Sequence, residues 1–139
     1  MKGPILLVED NLVDGDLTLR AFQRSQISAS VEVVRDGEEL FEQMALWEAE
    51  GKLIPRLILL DLNLPRVGGL EVLRQLKSHP RFRIIPVVVL TTSLVRKDVQ
   101  AAYDCGANSY IVKPMNFEKF VEVVLQIQLY WDQLNEPPQ

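Results

Sequence analysis

Short β-branched or leucine-rich runs recur along the chain at Ile5–Val8, Val31–Val34, Leu57–Leu60, Val87–Thr91 and Tyr110–Val112. Each has the length of a strand, and each is followed by turn or acidic residues. The first, third and fourth are continuous rather than alternating, which suits strands covered on both faces, as in a parallel sheet. Between them, apolar residues return at helical spacing. Asn11 can cap a first helix with Asp14 three places on, and Val13, Leu17 and Ala21 repeat every four residues. Leu40, Met44 and Trp47 mark a second helix, which Gly51 ends. Leu70, Leu73 and Leu76 mark a third, stopped by His79-Pro80. Val95, Val99, Ala102 and Tyr103 mark a fourth, closed by Gly106, and Phe117, Val121, Val124 and Trp131 lie near one face of a fifth. Five strands alternating with five helices imply right-handed crossovers and an open, three-layer α/β sheet. Ligands in such sheets bind at the carboxyl ends of the strands.

Composition narrows the picture further. The 139 residues fit one domain, expected to span 1–139 with no output domain. Hydrophobic residues at 47% and charged residues at 24% exclude a disordered chain. A net charge of -4 argues against nucleic-acid binding through a basic surface. A single Cys, Cys105, makes no internal disulfide, and a single His leaves no zinc cluster. No apolar run approaches the roughly 20 residues of a membrane span, and the apolar run in MKGPILLVED is too short for a signal peptide. A cytoplasmic location is the expectation.

The strand ends carry the chemistry. Glu9 and Asp10 follow the first strand, Asp61 the third, Thr91, Thr92 and Ser93 close the fourth, and Lys113-Pro114 follow the fifth. Two carboxylates ~5 Å apart repel by roughly 3 kcal/mol at an effective dielectric of about 20. Three in one pocket exceed what Lys113 can neutralise, and a hard divalent ion bound by oxygens, Mg2+ (or Mn2+), fits the deficit. Taken singly, each residue has a plainer role. Glu9-Asp10 can favour a helix dipole, Asp61 a turn, Thr91 a strand end, and Lys113 a solvated surface. Their joint order, each at a different strand end, is the specific signal.

That order resembles the receiver domain of bacterial two-component response regulators. The resemblance rests on LLVEDN at Leu6–Asn11, LLDLNLP at Leu59–Pro65, Gly69, VVVLTTS at Val87–Ser93 and YIVKP at Tyr110–Pro114. It implies a flavodoxin-like receiver fold with strand order 2-1-3-4-5. It implies that Asp61 is the phosphoacceptor and that Asp10, Glu9, Asp61 and the backbone carbonyl of Asn63 hold the metal. Thr91 then contacts the phosphoryl group, Thr92 follows on the switch loop, and Lys113 pairs with the acceptor. Tyr110 is the aromatic switch, and the peptide bond before Pro114 is expected to be cis. Gly68 departs from the aspartate common before the following glycine. The stretches EAEGKLIPRLILL and His79–Ser93, with the YW pair near the C-terminus, resemble stand-alone regulators of phytochrome-type histidine kinases.

The resemblance thus implies a non-enzyme that assists its own phosphorylation and dephosphorylation, with a histidine kinase as partner. The last helix carries more apolar residues between Phe120 and Trp131 than one sheet-facing side needs, so a homodimer through the fourth helix, fifth strand and fifth helix is expected. Burial of that helix by the Pro-rich tail is the alternative. Other functions fit less well. An Asp-nucleophile phosphatase needs a second acid where Asn63 stands. A flavodoxin-type phosphate loop would be repelled by Glu9-Asp10. No G-x-x-x-x-G-K-[ST] loop occurs. A receiver-like scaffold that takes no phosphate remains an alternative.

Overall fold

The structure is a computed structural model describing residues 3–24, 30–50, 53–64 and 66–136. The strands are β1 (Ile5–Val8), β2 (Val31–Val34), β3 (Leu57–Leu60), β4 (Val87–Thr91) and β5 (Ser109–Val112). The helices are α1 (Leu12–Arg24), α2 (Gly37–Glu50), α3 (Gly69–Ser78), α4 (Arg96–Asp104) and α5 (Phe117–Ile127). A short 3-10 turn covers Phe82–Ile84, and a π-helical segment, Gln128–Leu134, continues α5. All strand pairings are parallel, and the sheet order is β2-β1-β3-β4-β5. The chain therefore reverses its winding between β1 and β3, which makes that crevice the topological switch point.

Side chains alternate across a strand with period two, and the sheet sorts its residues accordingly. Leu6, Val8, Ile58, Leu60, Val87 and Val89 face α2, α3 and α4, where Leu40, Trp47, Val72, Leu73 and Leu76 meet them. Ile5, Leu7, Leu57, Leu59, Val88 and Leu90 face α1 and α5, where Ala21, Phe22, Phe120 and Val124 meet them. Both faces of β1, β3 and β4 are covered, so every residue of these strands is buried. Each buried leucine or valine contributes about 1.5–3 kcal/mol.

Several helix faces differ from the sequence pattern. On α1 the buried residues are Gly15, Thr18, Ala21 and Phe22, whereas Val13 is exposed and Leu17 half-buried. Gly15 lies against the Glu9 side chain, on the buried side of the helix. On α4 only Ala102 is buried, and Val95 and Tyr103 are exposed. On α5 the buried line is Phe120, Val124 and Ile127, with Phe117, Val121 and Trp131 at its margins. Beyond Ile127 the backbone widens into the π-helical segment, which buries Asp132 against Arg56; Arg56 also donates from Nε to the Gly3 carbonyl. Gly51 and the prolines of the tail lie outside the described residues.

The first cap is the one read from the sequence, and the structure adds a second at the start of α5. The Asp14 N–H donates to Asn11 Oδ1 at 3.0 Å, and the Lys119 N–H donates to Asn116 Oδ1 at 3.1 Å. Gly106, at φ 104°, closes α4 in a conformation that disfavours a side chain.

Candidate functional site

Parallel pairing brings the strand ends to one edge. Val8 is level with Leu60, so Glu9 and Asp61 emerge side by side across the switch point. The Asp61 N–H donates to the Val8 carbonyl at 3.1 Å and the Lys113 N–H to the Thr91 carbonyl at 2.7 Å, fixing the two loops that follow. Glu9 is 2% exposed, Asp61 7% and Thr91 fully buried.

Asp61 is held on both oxygens. Its Oδ1 accepts from the Asn63 N–H at 2.9 Å and from the Thr91 hydroxyl at 3.2 Å. Its Oδ2 accepts from Lys113 Nζ at 3.1 Å. The same ammonium donates to Glu9 Oε1 at 2.5 Å and stands 3.8 Å from Asp14 Oδ2. One buried cation therefore serves two buried carboxylates.

The electrostatics follow from that imbalance. Burial pushes Glu9 up to about 7 against the pull of Lys113, and the Asp61 charge adds to the rise. Burial also works against the Asp61 charge, but the Asn63 N–H and Lys113 offset it and hold Asp61 below the usual carboxylate range. Burial disfavours the Lys113 charge too, yet its pairing with Glu9 and Asp61 keeps it above the usual lysine range. Asp61 is thus the ionised carboxylate at neutral pH, and Glu9 is the one that burial holds close to its protonated form.

Gly69 permits the close packing behind Asp61. A Cβ there would lie 2.6 Å from Leu62 Cα and 2.7 Å from the Asp61 carbonyl oxygen, both backbone atoms. Arg66, in the same loop, adopts φ 60°, a left-handed conformation unusual for a residue with a side chain.

The expected residues are distributed unevenly. Glu9, Asp61, Thr91 and Lys113 come together, while Asp10 and Thr92 are exposed at the rim. Among the described residues no three acidic, His or Cys side chains form a closed metal-binding group. The donor chemistry nevertheless suits a hard divalent ion: the carboxylates of Glu9, Asp10 and Asp61 and the carbonyl of Asn63 are oxygen donors, and among the described residues Lys113 is the one ammonium set against both Glu9 and Asp61. Tyr110 is half-buried, and its hydroxyl donates to the Ser93 carbonyl at 2.9 Å, so the ring lies against the loop after β4. The Lys113–Pro114 peptide bond is trans, which corrects the cis expectation. The trans isomer is favoured before proline by about 0.5–1 kcal/mol, and with it Lys113 already reaches both carboxylates.

Sequence reasoning missed the Glu9–Lys113 pair and the approach of Asp14. Asp14 lies in the first turn of α1, directly after the first strand end, and that placement is the signal available for it. Beside Lys113 a cavity of about 190 Å³ opens between α1 and α5, lined by Asp14, Leu17, Thr18, Thr92, Met115 and Phe120 among others. No helix among the described residues is long and apolar enough to cross a membrane.

Comparison with known proteins agrees with this geometry. The chain is 46% identical over 134 residues to "Probable methanogenesis regulatory protein FilR2" of Methanothrix harundinacea, covering 96% of this chain and 86% of that one. It is 40% identical over 131 residues to response regulator Rcp1 of Synechocystis, covering 91% and 87%. The phosphorylated cyanobacterial phytochrome response regulator RcpA superposes over 100% of both chains with a TM-score of 0.90 at 38% identity. The Mn2+-bound form of Rcp1 superposes over 99% of both with a TM-score of 0.83. The model of the response regulator receiver domain matches residues 5–125. With its five strands in the order 2-1-3-4-5 and its acidic pocket at the switch point, the chain belongs to the response regulator receiver domain family.

Proposed function

We infer that this receiver accepts a phosphoryl group on Asp61. The observation that carries the reading is the hold on Asp61: Lys113 on one oxygen, Thr91 and the Asn63 N–H on the other, all in a buried site. Phosphoryl transfer needs positioning and charge neutralisation more than covalent help. An oxygen of the ionised Asp61 carboxylate attacks phosphorus, and the bond from phosphorus to the donor's imidazole nitrogen breaks. The electron pair leaves with the imidazole. The acyl phosphate formed keeps Lys113 and Thr91 beside its oxygens, where a charge-assisted and a neutral hydrogen bond stabilise it. A Mg2+ or Mn2+ ion held by Glu9, Asp10, Asp61 and the Asn63 carbonyl would supply further charge neutralisation. The manganese-bound form of Rcp1 supports that choice of ion.

The donor is a phosphohistidine of a kinase, and the likeness to Rcp1 and RcpA favours a phytochrome-type kinase. The chain acts in the cytoplasm and signals by protein contact. The added charge draws Thr91, the loop after β4 shifts with Tyr110, and the α4-β5-α5 face changes its affinity for partners. That face also makes a homodimer: Leu94, Val95, Tyr103, Leu129 and Tyr130 are exposed large apolar residues on and near it. The test of the chemistry is uptake of phosphate from acetyl phosphate by the native chain and Asp61→Asn, followed by mass spectrometry. One phosphoryl group, dependent on a divalent ion and absent from the variant, is the expected result. Equal uptake by Asp61→Asn would overturn the assignment.

A further inference from the structure

The loop joining β4 to α4 contains contacts that phosphoacceptance alone does not require. Ser93 Oγ donates to Asp98 Oδ2 at 2.6 Å and accepts the Val95 N–H at 3.3 Å. The Ser93 carbonyl accepts the Tyr110 hydroxyl at 2.9 Å. Ser93 is two residues from Thr91, whose hydroxyl reaches Asp61. One residue thus ties the acceptor pocket to the aromatic ring on β5 and to the first turn of α4. Val95, the N-cap of α4, makes no side-chain cap, so the Ser93–Asp98 pair fastens the helix start to the loop. Asp98 also lies in the first turn of α4, where a carboxylate favours the helix dipole. These contacts hold the loop while the Thr91 hydroxyl lies on Asp61 and the Tyr110 hydroxyl on the Ser93 carbonyl, the arrangement that keeps Thr91 beside the acceptor.

We propose that Ser93 and Asp98 are positioning residues, a latch that holds the loop after β4 in the phosphoryl-accepting arrangement. Asp98 acts through Ser93 and touches neither the acceptor nor its cation. The inference rests on the receiver reading above and deepens it. Breaking the latch frees the loop to leave Thr91 and Tyr110, and part of the binding energy for a phosphoryl group then goes into recovering that arrangement.

The test uses the full chain with beryllofluoride and Mg2+ as the phosphoryl mimic, and a fluorotyrosine label read by 19F NMR, with Tyr110→Phe assigning the signal. Asp98→Ala should bind the mimic roughly 5-fold or more weakly. In the metal-free, unliganded chain it should also move the Tyr110 resonance toward the solvent-exposed position. Asp98→Asn keeps an acceptor oxygen for Ser93 and should stay close to the native chain in both readings. An Asp98→Ala chain that melts earlier but keeps native affinity and an unmoved Tyr110 resonance would show a simple helix cap and overturn the latch. Tighter binding by Asp98→Ala would overturn it as well. A native chain that takes up no mimic would overturn the receiver reading and the latch together, which separates that failure from a failure of the latch alone.

Discussion

Lys113 is the residue on which the pocket turns, because its ammonium serves both Glu9 and Asp61. Lys113→Met should destabilise the chain by about 3–5 kcal/mol near pH 8, since it leaves two carboxylates buried without a counter-charge. The loss should shrink in acid, where one of them can take a proton; denaturant unfolding at both pH values measures it, and an equal loss at both would contradict the account. Glu9 sets a second pH dependence in the metal-free chain. Its folded pKa of about 7 lies above the ordinary value of 4.5, so the folded state binds the extra proton between those values. Stability therefore falls as pH rises across that window. A divalent ion needs the ionised carboxylate, so its stabilisation should grow over the same interval. Melting temperatures with EDTA and with Mg2+ would test this; curves that run parallel through the window would refute it. The sequence showed that acids, a threonine and a lysine stand at strand ends. It did not show that Lys113 pairs with Glu9, because that distance depends on how β1 and β5 are spaced across the sheet.

At the scale of elements, small residues decide how closely helices approach the site. Gly69→Ala would place a methyl group against backbone atoms of Asp61 and Leu62. Overpacking of this kind costs about 1–3 kcal/mol. The variant should also lose phosphate uptake in excess of its loss of stability, because the displaced backbone carries the acceptor. Asn116→Ala, at the start of α5 and away from Asp61, should cost about 1 kcal/mol through its lost cap and leave phosphate uptake unchanged. Strands were legible because β1, β3 and β4 are covered on both faces and so read as unbroken apolar runs. Helix faces were less so. In α1 the buried residues include Gly15 and Thr18, neither of which registers in a pattern of apolar residues. The π-helical end of α5 was invisible for a similar reason: Asp132 reads as a surface residue until Arg56, distant in sequence, is brought beneath it.

For the molecule as a whole, two faces of one sheet absorb the core, and the alternation of strands and helices carried that architecture in the sequence. Association is a separate matter. Leu129 and Tyr130 remain exposed at the C-terminal end of the helical layer. A dimer with a Kd of ~1 µM would be nearly complete at ~100 µM, and sedimentation showing a monomer there would remove the dimer from the account. The pocket, by contrast, is assembled within a single chain, and its claim is chemical. The most direct measurement is to phosphorylate the chain with acetyl phosphate and Mg2+, reduce the acyl phosphate with borohydride, and sequence the peptides. Phosphorylation on Asp61 should leave homoserine at position 61 and at no other position. Reduction at another acidic residue, or a stable phosphate on a serine or threonine with Asp61 untouched, would contradict it.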